Sequence, residues 1–226
     1  MRRLIAVLLV GAACSAPTTS SAPAPVSPTP DVTLGTPIAT RSPSPTPTQR
    51  PSPTIVKTSQ EGLLVLSDVP AGFKLTVDKE TTADDVVASA NAADKAAVKQ
   101  QLLDRAYVGG WIREFTKDAL FGAVFIRSGA TKYSSIDGGK YGIGQNVQLT
   151  TQSNGGVQIS LGETIGDESY GVQLDSTSGN PSATTYIVYF RIANISNTVG
   201  VAGVKGTFDV AVAIDLAKKQ LARFKA

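Results

Sequence analysis

The sequence of 226 residues contains no histidine and a single cysteine, Cys14. The lack of histidine excludes imidazole acid–base catalysis and removes the commonest metal ligand of proteins. One cysteine excludes an intrachain disulfide, so packing alone must stabilise the fold. Long apolar runs are also lacking, and no segment is long enough to predict a transmembrane helix. These absences exclude hydrolases of the Ser-His-Asp type and leave binding, structural or carboxylate-based roles open.

Proline is nearly absent from most of the chain, because 11 of its 13 prolines fall between Ser15 and Gln60. That stretch has no aromatic residue and few charges, so it buries too little apolar surface to offset its ordering entropy. We expect an extended, disordered stalk that reaches at most roughly 140 Å at about 3.1 Å per residue. The chain therefore divides into a leader (1–13), a linker that begins with Cys14 (14–60) and one globular domain (61–226).

Excess positive charge is lacking in the domain, although the whole chain has a net charge of +3. From Glu61 onward there are 16 basic and 17 acidic residues, for a net charge of −1. The basic excess therefore belongs to the leader and the linker. A domain without a basic surface lacks the first requirement for nucleic-acid binding, so we expect no nucleic-acid partner.

The N-terminus has the organisation of a secretory signal peptide. Met1-Arg2-Arg3 is a positive start, the seven residues 4–10 are apolar, and Gly11-Ala12-Ala13 are small. This order of charge, apolar run and small residues is typical of a cleaved leader. The pattern predicts export, with the domain on the extracytoplasmic side of a membrane.

Small residues directly before a lone cysteine resemble the lipobox of bacterial lipoproteins, although Gly11 stands where that family usually has leucine. The resemblance implies cleavage before Cys14, a diacylglycerol on its sulfur and fatty acyl chains such as palmitate, which together anchor stably. The alternative is ordinary cleavage near Ala13 with an unmodified cysteine. We expect a lipid-anchored protein at a bacterial cell membrane, and the sequence leaves inner or outer membrane open.

The patterns at the two ends of the domain predict helices. A helical region is expected from Thr82 to Tyr107, where Thr82 can cap the first turn and 91–94 divide it in two. A last helix is expected after Asp209, a second capping residue. Its apolar stripe has the spacing of one helix face and consists of Val210, Ile214, Ala217, Leu221 and Phe224.

Strands are expected between those helices, because apolar and polar residues alternate there. Lys117-Asp118-Ala119 and Asn154-Gly155-Gly156 are predicted hairpin turns. The domain is therefore predicted to be α+β, a twisted antiparallel sheet of about six to eight strands with N- and C-terminal helices packed on it, preceded by the Pro-rich stalk. The expected strands are 110–116, 120–127, 146–152, 157–161, 170–174, 184–192 and 196–204.

Three pieces of the domain resemble known families. They are residues 66–73, residues 165–169, and residues 186–194 followed by a terminal helix. Their order is similar to that of the extracellular sensor domains of mycobacterial serine/threonine kinases and of PsbP-like lipoprotein domains. The resemblance implies a twisted antiparallel sheet flanked by helices, with a cleft on the sheet. It assigns no site residue.

The alternation of side chains along the expected strands indicates one candidate ligand site. Arginines and aromatic residues alternate onto single faces of three expected strands, and they would form one surface if those strands were neighbours in register. Such a surface could bind an anionic, sugar or aromatic ligand. The alternative is an exposed sheet face on which arginine stems cover apolar rings. The candidate residues are Trp111, Arg113, Phe115, Arg127, Tyr189 and Arg191.

The other motifs of the domain are an acidic cluster, two glycine repeats and a glycosylation sequon. Glu163, Asp167 and Glu168 form the densest acidic cluster, which suits acid–base work, Ca²⁺ or a solvated turn. The glycines of 139–144 and 200–203 lack the lysine and Ser/Thr of a phosphate loop and are interpreted as turns or bulges. Asn194 begins a glycosylation sequon. We expect no cofactor and no metal.

The leading hypothesis is an extracytoplasmic, membrane-anchored lipoprotein whose domain binds a ligand or envelope partner without catalysis. The partner classes are an envelope protein, a glycan or a small ligand. The alternatives are a carboxylate-based envelope hydrolase that uses Glu163, Asp167 or Glu168, and a structural envelope protein without a ligand. The oligomeric state is left open.

Overall fold

The computed structural model describes residues 57–90, 92–120, 122–176 and 182–226. The predicted leader, Cys14 and the predicted linker up to residue 56 lie outside the described residues. The described chain makes tertiary contacts from Lys57, ahead of the expected boundary at Glu61, because the Lys57 ammonium donates to the Arg223 carbonyl oxygen at 2.6 Å.

Seven strands form one open antiparallel sheet in the described ranges. The first three strands pair in chain order, with two helices between the first and the second, and the last four form a meander that joins them through β3 and β7. The spatial order is β1-β2-β3-β7-β6-β5-β4. The bounds are β1 Lys74–Thr81, β2 Tyr107–Ala119, β3 Gly122–Tyr133, β4 Val157–Ile159, β5 Glu168–Ser176, β6 Ala183–Ile192 and β7 Ile195–Val204.

Five α-helices accompany the sheet within the described residues, and none of them is long and apolar enough to cross a membrane. The α+β class is confirmed. Thr82 and Asp209 cap their helices as predicted, and the region around 91–94 separates two helices. The helices are α1 Ser59–Gly62, α2 Ala83–Ser89, α3 Lys95–Asp104, α4 Ile136–Gln148 and α5 Val210–Lys225.

The two faces of the sheet are covered by different helices. α5 packs on one face, over the largest apolar cluster, where Phe115, Ile126 and Phe190 are fully buried beneath Leu216. α4 packs on the other face and buries Ile143 and Val147 against β5 and β6. We call these the α5 face and the α4 face. Cα partners in neighbouring antiparallel strands share a face, so the register assigns every strand residue to one of them.

The segment 57–64, which we call the N-terminal strap, packs on the α5 face. Leu63 and Leu64 are fully buried, and a Cβ added at Gly62 would stand 1.9 Å from the ring of Phe224. A buried polar network joins this segment to the sheet: the Leu64 amide donates to Ser128 Oγ at 3.1 Å, and Ser128 donates to Gln220 Oε1 at 2.7 Å. α5 is therefore in contact with both the sheet and the N-terminal segment.

α4 is the element that the sequence patterns predicted wrongly. A strand was expected at 146–152, and the glycines of 139–144 were expected to form turns or bulges, but this stretch is helix followed by a π turn, 149–153. A Cβ at Gly142 would stand 2.5 Å from the Tyr133 hydroxyl, and one at Gly139 3.1 Å from the carbonyl carbon of Asn194. These glycines let α4 approach the sheet closely.

The β2–β3 hairpin also differs from the expectation. Its strands pair as far as Ala119 with Gly122, so Lys117-Asp118-Ala119 belong to the strand and are not the turn. This change alters the register by an odd number of residues, and Phe115 therefore pairs with Ile126. Residues 154–156 likewise join the π turn to β4 and are not a hairpin. Strand β1 was not predicted, because most of its residues are exposed and show no alternation.

Candidate functional site

The structure divides the predicted arginine and aromatic set between the two faces of the sheet. Trp111, Arg113 and Phe115 lie on the α5 face, because Phe115 pairs with Ile126 in the core under α5. Arg127, Tyr189 and Arg191 lie on the α4 face, since Tyr189 belongs to the cluster under α4. The predicted single surface is therefore not formed.

The α5-face members of the set have partners that stabilise the fold. Phe115 is fully buried. The Trp111 indole donates to Asp78, and Arg113 Nε lies 3.1 Å from Asp78 Oδ1. Arg113 also donates to the Leu64 carbonyl at 3.2 Å and so ties the N-terminal strap to β1 and β2.

Arg191 holds the β6–β7 turn. It is 7% exposed and pairs with Asp167 at 2.8 Å and with Glu168, and it donates to the Ala193 carbonyl at 2.7 Å. Asp167 also accepts the Ala193 amide at 2.7 Å, where Ala193 has φ 49°. Backbone in this region is unfavourable for a residue with a Cβ, so these bonds offset a local cost.

The acidic candidates do not converge. Asp167 and Glu168 are committed to Arg191, and Glu163 pairs with Lys218 on α5 at 2.6 Å. Within the described ranges, no three acidic or cysteine side chains group as a metal site. Asn194 of the sequon is 3% exposed and donates its side-chain amide to the Tyr133 carbonyl, so a glycan cannot be attached to the folded domain there.

Arg127 is different, because it is half-buried in the middle of the α4 face. Its register partners are Glu114 on β2 and Gly200 on β7. Burial lowers the pKa of the Arg127 guanidinium, and the nearby Glu114 and Tyr189 oppose that shift. An arginine remains charged under these conditions. The α4 face therefore carries a partly desolvated positive charge next to one carboxylate.

Two glycines beside Arg127 leave room for a side chain. A Cβ added at Gly129 or Gly200 would meet no atom beyond its chain neighbours nearer than 3.9 Å, an ordinary van der Waals distance, and neither residue has a left-handed backbone. Neither crowding nor conformation therefore requires glycine at these positions. Glycine within a strand weakens the strand, and it often marks a place where another group approaches the backbone closely. Gly200 was expected at a turn or bulge, but it lies in a continuous ladder.

Tyr189 lies beside these glycines on the α4 face and is held in place. It is 4% exposed, and its hydroxyl lies 2.6 Å from Thr150 Oγ1 in the π turn. Burial raises the pKa of Tyr189, while the bond to Thr150 and the charge of Arg127 act in the opposite direction. The phenol is therefore neutral near pH 7, and its ring is held in place by α4 and the π turn.

We call this area the Arg127 face. Of the predicted set, it brings together Arg127 and Tyr189. The sequence patterns missed Glu114 and the two glycines; Glu114 and Gly200 lie beside Arg127 through strand register, which local patterns do not give. The face combines a cation, a carboxylate, a glycine-lined floor and aromatic side chains, which is the kind of polar and apolar mixture that binds small ligands. It is defined by Glu114, Phe125, Arg127, Gly129, Tyr189 and Gly200.

Comparisons with known proteins add little to the structure. No protein-family model matches the chain, and no curated protein matches it either. A similar solved structure is the extracellular domain of PknH from Mycobacterium tuberculosis, with 11% identity and a TM-score of 0.44 over 73% of this chain and 93% of that one. This agrees in part with the expected resemblance to kinase extracellular domains. A likeness of that strength supports no argument about what this chain binds.

Proposed function

We propose that the chain is a non-catalytic, lipid-anchored extracytoplasmic binding protein whose domain takes a small anionic ligand on the Arg127 face. The single observation behind the ligand is Arg127 itself, half-buried between Glu114 and Gly200 and beside two glycines at which a Cβ would meet only ordinary van der Waals contacts. The leader and Cys14 support the anchor.

The chemistry of arginine indicates the ligand class. A guanidinium presents its N–H donors in a planar fork that matches a carboxylate or a phosphate in two parallel bonds. Partial burial strengthens such a pair relative to one in water. Glu114 holds a negative charge on the β2 side, so an anion is expected to approach from the side of β7, over Gly200.

The glycine floor suits a flat ligand. Without side chains at Gly129 and Gly200, a planar group can lie directly on the peptide units of β3 and β7. A small aromatic or conjugated acid would therefore place its ring on the floor and its anionic group at Arg127. The hydrolase alternative is less well supported, because the carboxylates it requires are paired with Arg191 and Lys218.

Thermal unfolding of the full chain in the presence of benzoate, citrate and inorganic phosphate tests this proposal. A ligand at about 100 times its Kd stabilises by about 2.7 kcal/mol, which raises the Tm by roughly 5–10 °C for a chain of this size. The Arg127→Met variant should lose the shift, and Arg127→Lys should lose most of it. Gly200→Val should also lose it, because the side chain fills the floor.

The matched control is Lys99→Met, which removes one positive charge from an exposed position on α3. This variant should keep the full shift. If none of the three anions shifts the wild-type Tm, or if Arg127→Met and Lys99→Met respond alike, the ligand assignment is wrong.

A further inference from the structure

A groove lies at the β4 edge of the sheet, next to the Tyr189 side of the Arg127 face, since Tyr170 in the groove pairs with Tyr189. β4 is only three residues long, and its last residue, Ile159, pairs with Gly171 of β5. β5 begins three residues earlier, at Glu168, so this end of β5 has no β4 partner, and residues 160–167 connect the two strands as a loop. The mismatch in strand length leaves a notch of about 470 Å³ between this loop and β5. That volume falls within the range of small-ligand sites, roughly 300–1,000 Å³.

The lining of the groove is polar with one exposed aromatic ring. Tyr170 on β5 is 38% exposed. Gln158, Ser160 and Thr164 are exposed beside it and offer amide and hydroxyl groups that both donate and accept hydrogen bonds. Leu161 contributes apolar surface. An aromatic ring surrounded by uncharged donors and acceptors matches a ligand that has an apolar face and hydroxyl edges.

The groove carries no net charge. Among the described residues that line it, Glu163 alone is charged, and Lys218 on α5 lies 2.6 Å from its carboxylate. Such an exposed pair contributes little to stability, but it leaves neither charge uncompensated for a ligand to meet. The groove is therefore suited to a neutral ligand, in contrast to the Arg127 face.

The loop that forms the groove is held in shape. Gly162 has φ 73° and donates its amide to Ser160 Oγ at 3.2 Å. The Ile165 amide donates to Ser169 Oγ at 2.9 Å, and the Ile165 side chain is 2% exposed. A site that is already ordered before binding loses less conformational entropy when the ligand arrives.

We infer that this edge groove is a binding site for a neutral carbohydrate, with Tyr170 as its stacking platform. The C–H face of a pyranose ring packs on the tyrosine ring, and the sugar hydroxyls bond to Gln158, Ser160 and Thr164. The groove is open at the sheet edge, so a chain of several sugar units can pass through it. This inference does not rest on the anionic ligand proposed above.

Native gel electrophoresis of the full chain in gels that contain hydroxyethyl cellulose, galactomannan or glycogen tests the inference. We expect retardation by at least one polymer. Tyr170→Ala should weaken the affinity at least tenfold, and Tyr170→Phe should retain it, because the ring and not the hydroxyl supplies the platform. Leu103→Ala, an exposed apolar position on α3, is the matched control and should behave as wild type.

The inference is overturned if no polymer retards the wild type, or if Tyr170→Ala migrates as the wild type does in every gel. The Arg127→Met variant separates this site from the Arg127 face. It should be retarded normally here while it loses the thermal shift with anions, so each proposal can fail without the other.

Discussion

Gly142 on α4 faces the hydroxyl end of Tyr133, and a Cβ at Gly142 would stand 2.5 Å from the Tyr133 oxygen. Tyr133 is 8% exposed and also packs edge-on against Tyr107 with ring centroids 6.1 Å apart. The ring therefore has little freedom to move away. The distance between α4 and the sheet depends on the absence of one methyl group.

We predict that Gly142→Ala destabilises the domain, by about 1–3 kcal/mol for overpacking. Part of this cost is offset, because alanine is favoured over glycine in a helix by about 1 kcal/mol. Gly144→Ala is the matched control on the same helix. A Cβ there meets nothing within 4 Å, so this variant should be stabilised. Urea unfolding measures both, and equal free energies of unfolding would contradict the packing role.

Gln220 supports a second prediction, because it is fully buried at the centre of a polar network. It accepts from Ser128 and donates to the Gly129 carbonyl and to Asn197 Oδ1, both at 3.1 Å. Gln220→Met keeps most of the volume but leaves these buried groups without their partner, at a cost of about 1–3 kcal/mol each.

Urea denaturation should show this loss, and Gln148→Met is the control. Gln148 lies on the exposed side of α4, and its amide bonds only to nearby glutamines there. The control should change the free energy of unfolding by less than about 0.5 kcal/mol. A Gln220→Met variant as stable as the control would show that the network is dispensable.

The pKa of Tyr107 leads to a prediction of how the free energy of unfolding depends on pH. Burial, with smaller contributions from Asp85 and Glu80, raises the pKa of Tyr107 to about 12. In the unfolded chain a tyrosine ionises near pH 10. Because the folded pKa is raised, this contribution is fully present below pH 10 and is lost as the pH rises towards 12.

The free energy of unfolding should therefore fall between pH 10 and pH 12, and Tyr107→Phe should fall less steeply. One such group contributes at most about 1.4 kcal/mol per pH unit. Chemical unfolding at pH 9, 10 and 11 gives the slopes, and identical slopes for the wild type and Tyr107→Phe would refute the assignment.

Lipidation of Cys14 leads to a prediction of where the protein is found in the cell. In a bacterial host, the wild type should fractionate with membranes and incorporate radiolabelled palmitate, and Cys14→Ser should do neither. The reason is that several acyl chains on one terminus anchor stably, whereas the seven apolar residues 4–10 are too few to span a bilayer. Ser15→Cys in the Cys14→Ser background tests whether a cysteine one residue later can also be lipidated. Labelling of Cys14→Ser at the wild-type level would exclude lipidation at this cysteine.

The sequence predicted those elements in which local and tertiary signals agree. β6 alternates apolar residues over its whole length, and α5 combines a capping Asp209 with one apolar stripe. α4 was missed because four glycines in 136–148 oppose a helix by about 1 kcal/mol each. Close packing against Tyr133 and the β6–β7 turn favours the helix, and local sequence patterns do not reveal that packing.

The candidate site was predicted in part, for a related reason. A three-residue turn at Lys117-Asp118-Ala119 would pair Phe115 with Phe121 and would place all the odd-numbered candidates on one face. The true turn pairs Ala119 with Gly122, so odd residues of β2 face even residues of β3. A shift of this kind moves every side chain to the opposite face, and no composition signal reveals it.

The bond between Lys57 and the Arg223 carbonyl has a use in protein engineering, because it places the two ends of the described chain beside each other. Neighbouring ends tolerate circular permutation. A chain in which Ala226 is linked to Lys57, and which opens at the fully exposed Leu120, would retain all seven strands and both faces of the sheet. Its new ends would emerge from the β2–β3 hairpin, so the domain could be inserted into a host loop.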